Sequence, residues 1–71
     1  MFTELVGQTY TFEDGHSIKI IQVRNRDSGV WVTYEIRSGP GIPQKLLMIE
    51  QEFYNNFGHL FGVKDAPEKR F

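Results

Sequence analysis

Apolar and polar residues alternate along several short stretches of the chain, and this alternation predicts β-strands. The clearest stretch is residues 30–37, VWVTYEIR, whose first, third, fifth and seventh residues are apolar. Residues 8–12 show the same period of two, with Tyr10 and Phe12 on one face, and residues 44–48 form a further short run. A period of two matches a pleated strand that has one dry side and one wet side.

A further stretch, residues 17–24, breaks the alternation halfway along. Ile18 and Ile20 fall on one face of a strand, whereas the next apolar residues, Ile21 and Val23, fall on the other. Either both faces of this strand are covered, or a β-bulge near Ile20 and Ile21 shifts its phase. A bulge would bend the strand and let a small sheet curl over its own apolar side.

The apolar spacing changes from two to four after residue 48. Ile49, Phe53 and Phe57 then form one stripe of a helix over residues 49–57, and Gly58 follows where a left-handed C-cap would end it. We expect Tyr34, central on the cleanest strand, and Phe53, central on this stripe, to join sheet to helix.

Turn signals separate these runs at Asp14-Gly15, at residues 27–29 and at residues 38–43. The pattern predicts a mainly β (α+β) fold: a small curled antiparallel sheet, or an SH3-like barrel of four or five strands, with one short C-terminal helix. Residues 1–63 would form this single domain. Residues 64–71, KDAPEKRF, are charged and aperiodic, which predicts a flexible tail.

Composition narrows the classes of function. Seventy-one residues suffice for one small core, and the lack of cysteine excludes disulfides, thiolate zinc sites and thiol redox chemistry. The chain begins without a signal-peptide pattern and has no apolar run that could cross a membrane, which predicts a cytoplasmic protein with no membrane partner. A net charge of −1 gives no global field that would attract nucleic acid.

Four segments, GQTYTFEDG, WVTYEI, GPGIPQKLLM and EFYNNFGHLFG, carry a resemblance to known proteins. The chain resembles short proteins of unassigned role that are encoded by tailed phages, particularly those of cyanobacteria. The resemblance covers roughly residues 7–62, and its most specific piece is residues 57–61. The order of elements also looks like that of small SH3-like or Tudor-like barrels. Neither likeness implies a catalytic residue, since one fold hosts many functions.

Residues with catalytic or ligand-binding potential are few. Asp14 and His16 flank a turn glycine and form either a metal-ligand pair or, as is more usual, a polar turn. His59, which follows Gly58, is expected to bond free carbonyls at the helix end. Residues 38–43 lack the Lys-Ser/Thr of a phosphate-binding loop and would form a shaped crossover or the rim of a binding groove. We therefore predict no enzyme activity, cofactor or metal.

Trp31 is the strongest candidate for a contact residue. Alternation points its side chain away from the core, with Arg37 on the same face. Arg24 and Arg26, expected in the neighbouring hairpin connection, would add cations beside the aromatic ring, a combination favoured at protein interfaces and on single-stranded nucleic acid. The alternative is that the C-terminal helix covers Trp31.

These observations favour a small, non-enzymatic protein-interaction module. By the phage resemblance, it would be an accessory protein that modulates a host or viral protein in the host cytoplasm. The alternative is a small nucleic-acid-binding barrel that uses the same four residues with Lys45 nearby, although Glu35 on the same face counts against it. Homo-oligomerisation stays open, because a small sheet has edges that a second copy could pair with.

Overall fold

The computed structural model describes residues 2–63, which form four strands, one α-helix and two 3₁₀ helices. The predicted tail at residues 64–71 lies outside the described residues. In chain order the elements are an N-terminal 3₁₀ helix (Phe2–Leu5), β1 (Thr9–Thr11), β2 (His16–Arg26), β3 (Gly29–Ser38), β4 (Gln44–Ile49), α1 (Glu50–Phe57) and a C-terminal 3₁₀ helix (Gly58–Phe61). None of the described helices is long and apolar enough to cross a bilayer.

The four strands form one antiparallel sheet in the order β1-β2-β3-β4. Each strand pairs with its neighbours in sequence, as expected when short turns join them. The predicted mainly β fold with one short C-terminal helix is confirmed. The alternative of a closed barrel is wrong for residues 2–63, because the outer strands β1 and β4 do not pair with each other.

Of the two alternatives for β2, a strand covered on both faces or a β-bulge, the structure has the bulge. Ile20 pairs with Tyr34, and the next register pair is Gln22 with Thr33, so Ile21 is an extra residue opposite β3. This extra residue explains the change of phase in the sequence, because it returns Val23 to the face that carries Ile20. Val23 accordingly packs against the core.

The core lies on one face of the sheet, beneath the helical segments at both ends of the chain. Its buried side chains are Phe2, Ile18, Ile20, Val32, Tyr34 and Phe53. The Tyr34 and Phe53 ring centroids are 5.2 Å apart, which confirms that these residues join sheet to helix. Desolvation in this position raises the pKa of the Tyr34 hydroxyl above its usual value.

The start of the helix differs from the prediction. Ile49 is the last residue of β4, where it pairs with Trp31, and α1 begins at Glu50. The stripe that packs on the sheet is therefore made by Phe53 and Phe57, whose rings are 5.2 Å apart, without Ile49. An isolated spacing of four does not distinguish the first residue of a helix from the last residue of a strand.

The predicted left-handed cap at Gly58 is wrong. Gly58 has right-handed helical dihedral angles and leads directly into the C-terminal 3₁₀ helix. The left-handed cap is Gly62, at φ 76°, whose N–H is directed to the carbonyl oxygens of Gly58 and His59. Glycine is needed at position 58 for a close approach, since a Cβ there would lie 2.8 Å from Cδ1 of Tyr54.

This close approach predicts the effect of Gly58→Ala. The added methyl would force the Tyr54 ring to move within a packed region, which we expect to cost about 1 to 3 kcal/mol of unfolding free energy. Chemical denaturation measures this change. The control Asn55→Ala, at an exposed position of α1, should change stability by less than about 0.5 kcal/mol. Equal stability of Gly58→Ala and wild type would contradict the proposed role of the contact.

Candidate functional site

The sheet face opposite the core is covered by none of the helical segments in residues 2–63. We call it the open face and define it by Trp31, Thr33, Glu35 and Arg37 of β3, their partners in β2 and β4, and the adjoining side chains of β1. No side chain of the open face belongs to the core cluster or packs against it. The open face is therefore the surface on which the predicted contact residues must be located.

Trp31 lies near one end of the open face, paired with Arg24 of β2 and Ile49 of β4. Its side chain is half-buried, and its indole Nε1–H donates a hydrogen bond to Ser28 Oγ at 2.9 Å. The alternative that α1 covers Trp31 does not hold, because α1 packs through Phe53 on the opposite face. The ring is fixed in orientation and still partly accessible.

Two apolar side chains of β4 accompany Trp31. Ile49 is its direct partner, and Leu47 pairs with Thr33 in the next row, where 53% of Leu47 is exposed. We call Trp31, Leu47 and Ile49 the Trp31 cluster. The sequence does not indicate either β4 residue as a contact: the spacing of four places Ile49 in the predicted helix, and the Leu46-Leu47 pair does not show which leucine faces the core.

The predicted arginines do not form one patch around Trp31. Arg24 and Arg26 belong to β2 and not to a hairpin connection, since β2 extends to residue 26, and both are exposed on the Trp31 side of the strand. Arg37 lies six residues along β3, about 20 Å away at the rise of an extended strand. Alternation identified the shared face correctly, but the length of the strand separates Arg37 from Trp31.

Arg37 belongs to a second polar group at the far end of the open face. There a shallow depression of about 210 Å³ is lined by Thr9, Ser17, Lys19, Glu35 and Arg37. Within it, Glu35 is paired with Lys19 on one side and with Lys45 on the other. This group places three exposed cations around one carboxylate.

Asp14 and His16 form the polar turn that the sequence predicted as the usual case. Asp14 Oδ1 accepts the backbone N–H of His16 at 3.0 Å and lies 2.9 Å from His16 Nδ1. These interactions, the backbone hydrogen bond first, lower the pKa of the Asp14 carboxyl. Among residues 2–63, no three His, Cys, Asp or Glu side chains are grouped as metal ligands.

Two other predicted features are His59, at the end of α1, and residues 38–43, between β3 and β4. The side chain of His59 is exposed, and the carbonyls at the helix end are met by backbone groups instead, for example Val63 N–H to the Gly58 oxygen at 3.0 Å. The predicted crossover at residues 38–43 is wrong: these residues form a hairpin loop between the adjacent antiparallel strands β3 and β4, in which the Gly41 N–H donates to the Ser38 oxygen at 3.0 Å. Ile42 at its tip is 92% exposed.

A scan of protein-family models, a search of curated proteins and a search of solved structures each found no match to this chain. The geometry and charge of the open face are therefore the features that indicate a function.

Proposed function

We propose that this chain is a small, non-enzymatic protein-interaction module that binds its partner through the Trp31 cluster. The observation that carries the proposal is the position of Trp31, half-buried on a sheet face that no described helix covers, beside the exposed Leu47. Tryptophan and arginine are the residues most enriched among interface side chains that dominate binding energy. Arg24 pairs with Trp31 across the sheet, so an arginine lies beside the tryptophan.

The hydrogen bond to Ser28 supports an anchoring role for Trp31. It fixes the indole ring before any partner arrives, so less side-chain freedom is lost on binding. The non-enzymatic part of the proposal is supported by the use of the large aromatic residues. The core buries Phe2, Tyr34 and Phe53. A chain of this size has few other large side chains that could line a deep, water-excluding pocket. With the resemblance to tailed-phage proteins, the partner would be a host or viral protein in the host cytoplasm.

The variant Trp31→Ala tests this proposal. Loss of a half-buried ring outside the core should cost about 1 kcal/mol of stability and leave the domain folded. Binding should weaken by about 2 kcal/mol, as is common when an interface anchor is truncated. Wild type and variant are immobilised and exposed to native cell lysate, in parallel with and without added nuclease, and the affinity of each for the captured protein is then measured.

The control is Ile42→Ala, which removes an exposed apolar side chain from the loop at the opposite end of β3. It should capture the same protein as wild type. Equal capture by Trp31→Ala would contradict the proposal, as would a signal that nuclease treatment abolishes. Circular dichroism of all three proteins separates a lost contact from a lost fold.

A further inference from the structure

Positive charge among residues 2–63 is concentrated on the open face. All five lysines and arginines among residues 2–63 are on the open face, and each is exposed: Lys19, Arg24, Arg26, Arg37 and Lys45. Of the seven aspartates and glutamates in the same range, only Glu35 is on this face. The open face therefore has a formal charge of +4, in a chain whose net charge is −1.

The remaining acidic residues lie in the turns and helical segments, and one of these, Asp27, is in the β2–β3 turn beside Ser28, the hydrogen-bond partner of Trp31. They are Glu4, Glu13, Asp14, Asp27, Glu50 and Glu52. Glu50 and Glu52 occupy the first turn of α1, where a negative charge is favourable beside the helix N-terminus. No comparable local reason places five cations on one sheet face. Such segregation gives the face a positive potential that the net charge of −1 conceals.

The cations flank the apolar contact surface. Arg24 and Arg26 lie at the Trp31 end. Lys19 and Lys45 lie beside Glu35, about 13 Å along the sheet, and Arg37 lies about 20 Å from Trp31. An extended peptide of about six residues would span that distance. From this arrangement, and building on the proposed function, we infer that the partner presents an acidic segment, with an apolar side chain on the Trp31 cluster and carboxylates at the cations on either side.

Three features favour an acidic protein segment over nucleic acid. Glu35 lies between Lys19 and Lys45 and interrupts the row of cations, which disfavours the regularly spaced charges of a phosphate backbone, whereas a peptide can place carboxylates at the cations and a backbone N–H at Glu35. Leu47 and Ile49 offer aliphatic surface, which suits an apolar side chain better than a base. Trp31 is the only aromatic residue of the open face, whereas single-strand binding surfaces stack successive bases on several rings.

The inference is tested with synthetic probes. The first is a peptide of about ten residues, with two leucines at its centre and glutamates on both sides. The second peptide has glutamine in place of every glutamate, and the third probe is an oligothymidine of matched length. Binding is followed by amide chemical shifts and by the indole N–H signal of Trp31, the only tryptophan in the chain.

We expect the glutamate peptide to shift the Trp31 indole signal and the amides of β2, β3 and β4. The glutamine peptide should bind about tenfold more weakly than the glutamate peptide. Raising the salt concentration from about 50 to about 300 mM should lower the affinity of the glutamate peptide severalfold. Arg24→Gln should reduce its affinity about threefold, since exposed charge pairs contribute modestly. The matched control Thr3→Glu lowers the net charge by the same amount away from the open face and should leave affinity unchanged.

Three results would overturn the inference. Equal binding of the two peptides would show that the acidic groups are not recognised. Tighter binding of oligothymidine than of the glutamate peptide would identify a nucleic-acid surface. Absence of any shift on the open face with every probe would exclude an acidic segment as the occupant. The proposed function fails separately, because its test is Trp31-dependent capture of a protein and does not depend on the partner's charge.

Discussion

Phe53→Ala is expected to leave the domain largely unfolded. The Phe53 ring is fully buried and meets Phe2, Tyr34 and Phe57 at centroid distances of 5.1, 5.2 and 5.2 Å. Truncating a buried phenylalanine to alanine costs about 3 to 5 kcal/mol. A chain of this length has a total stability of about 4 to 10 kcal/mol, so this loss removes much or all of it.

Circular dichroism and chemical denaturation measure this effect directly. Ile42→Ala truncates an apolar side chain at a 92% exposed position and should change stability by less than about 0.5 kcal/mol. A Phe53→Ala protein that unfolds cooperatively near the wild-type midpoint would contradict the packing of α1 on the sheet. Phe53→Leu, which retains most of the apolar volume, should recover part of the loss.

Phe2→Ala is expected to have the second largest effect, of about 3 kcal/mol or more. Phe2 is fully buried, and its ring packs edge-on against Phe53 at 5.1 Å. The N-terminal 3₁₀ helix is only four residues long, too short to be stable on its own, so it depends on tertiary contacts, of which this fully buried ring and the partly buried Leu5 are the apolar ones. Denaturant midpoints of purified variants give the measurement.

Thr3→Ala provides the matched control, because Thr3 is exposed in the same short helix. It should behave as wild type, whereas Phe2→Ala should also lose the hydrogen-exchange protection of amides near Phe53. If the two variants prove equally stable, the N-terminal segment contributes nothing to the core. The described core would then have to be complete without it.

The one-sided core connects stability to the proposed function. Every helical segment of residues 2–63 packs on the face of Tyr34, so variants of the open face can be made without removing core contacts. Trp31→Ala and Arg24→Gln should therefore separate binding from folding, while Phe53→Ala and Phe2→Ala should lower stability and binding together.

Local pattern was enough to predict the strands, their turns and the direction of Trp31. Side chains alternate with a period of two in any strand, so the sides of β3 follow from its residue order alone. The phase break at Ile20 and Ile21 indicated a bulge as one of two alternatives, because one extra residue inverts the alternation, and the register with β3 decided for it. Phe53 could be assigned to the core from its place between other apolar residues at helical spacing.

Only the tertiary structure decided features that depend on contacts between distant residues. Nothing near Phe2 in sequence predicts its burial, which results from Phe53, and the role of Gly58 depends on the position of the Tyr54 ring. Whether β1 and β4 meet is a property of the whole sheet. The grouping of all five described cations on one face required strand registers, and the distance from Trp31 to Arg37 required the strand length. Periodicity sets which side of a strand a residue takes, whereas register and packing determine its neighbours.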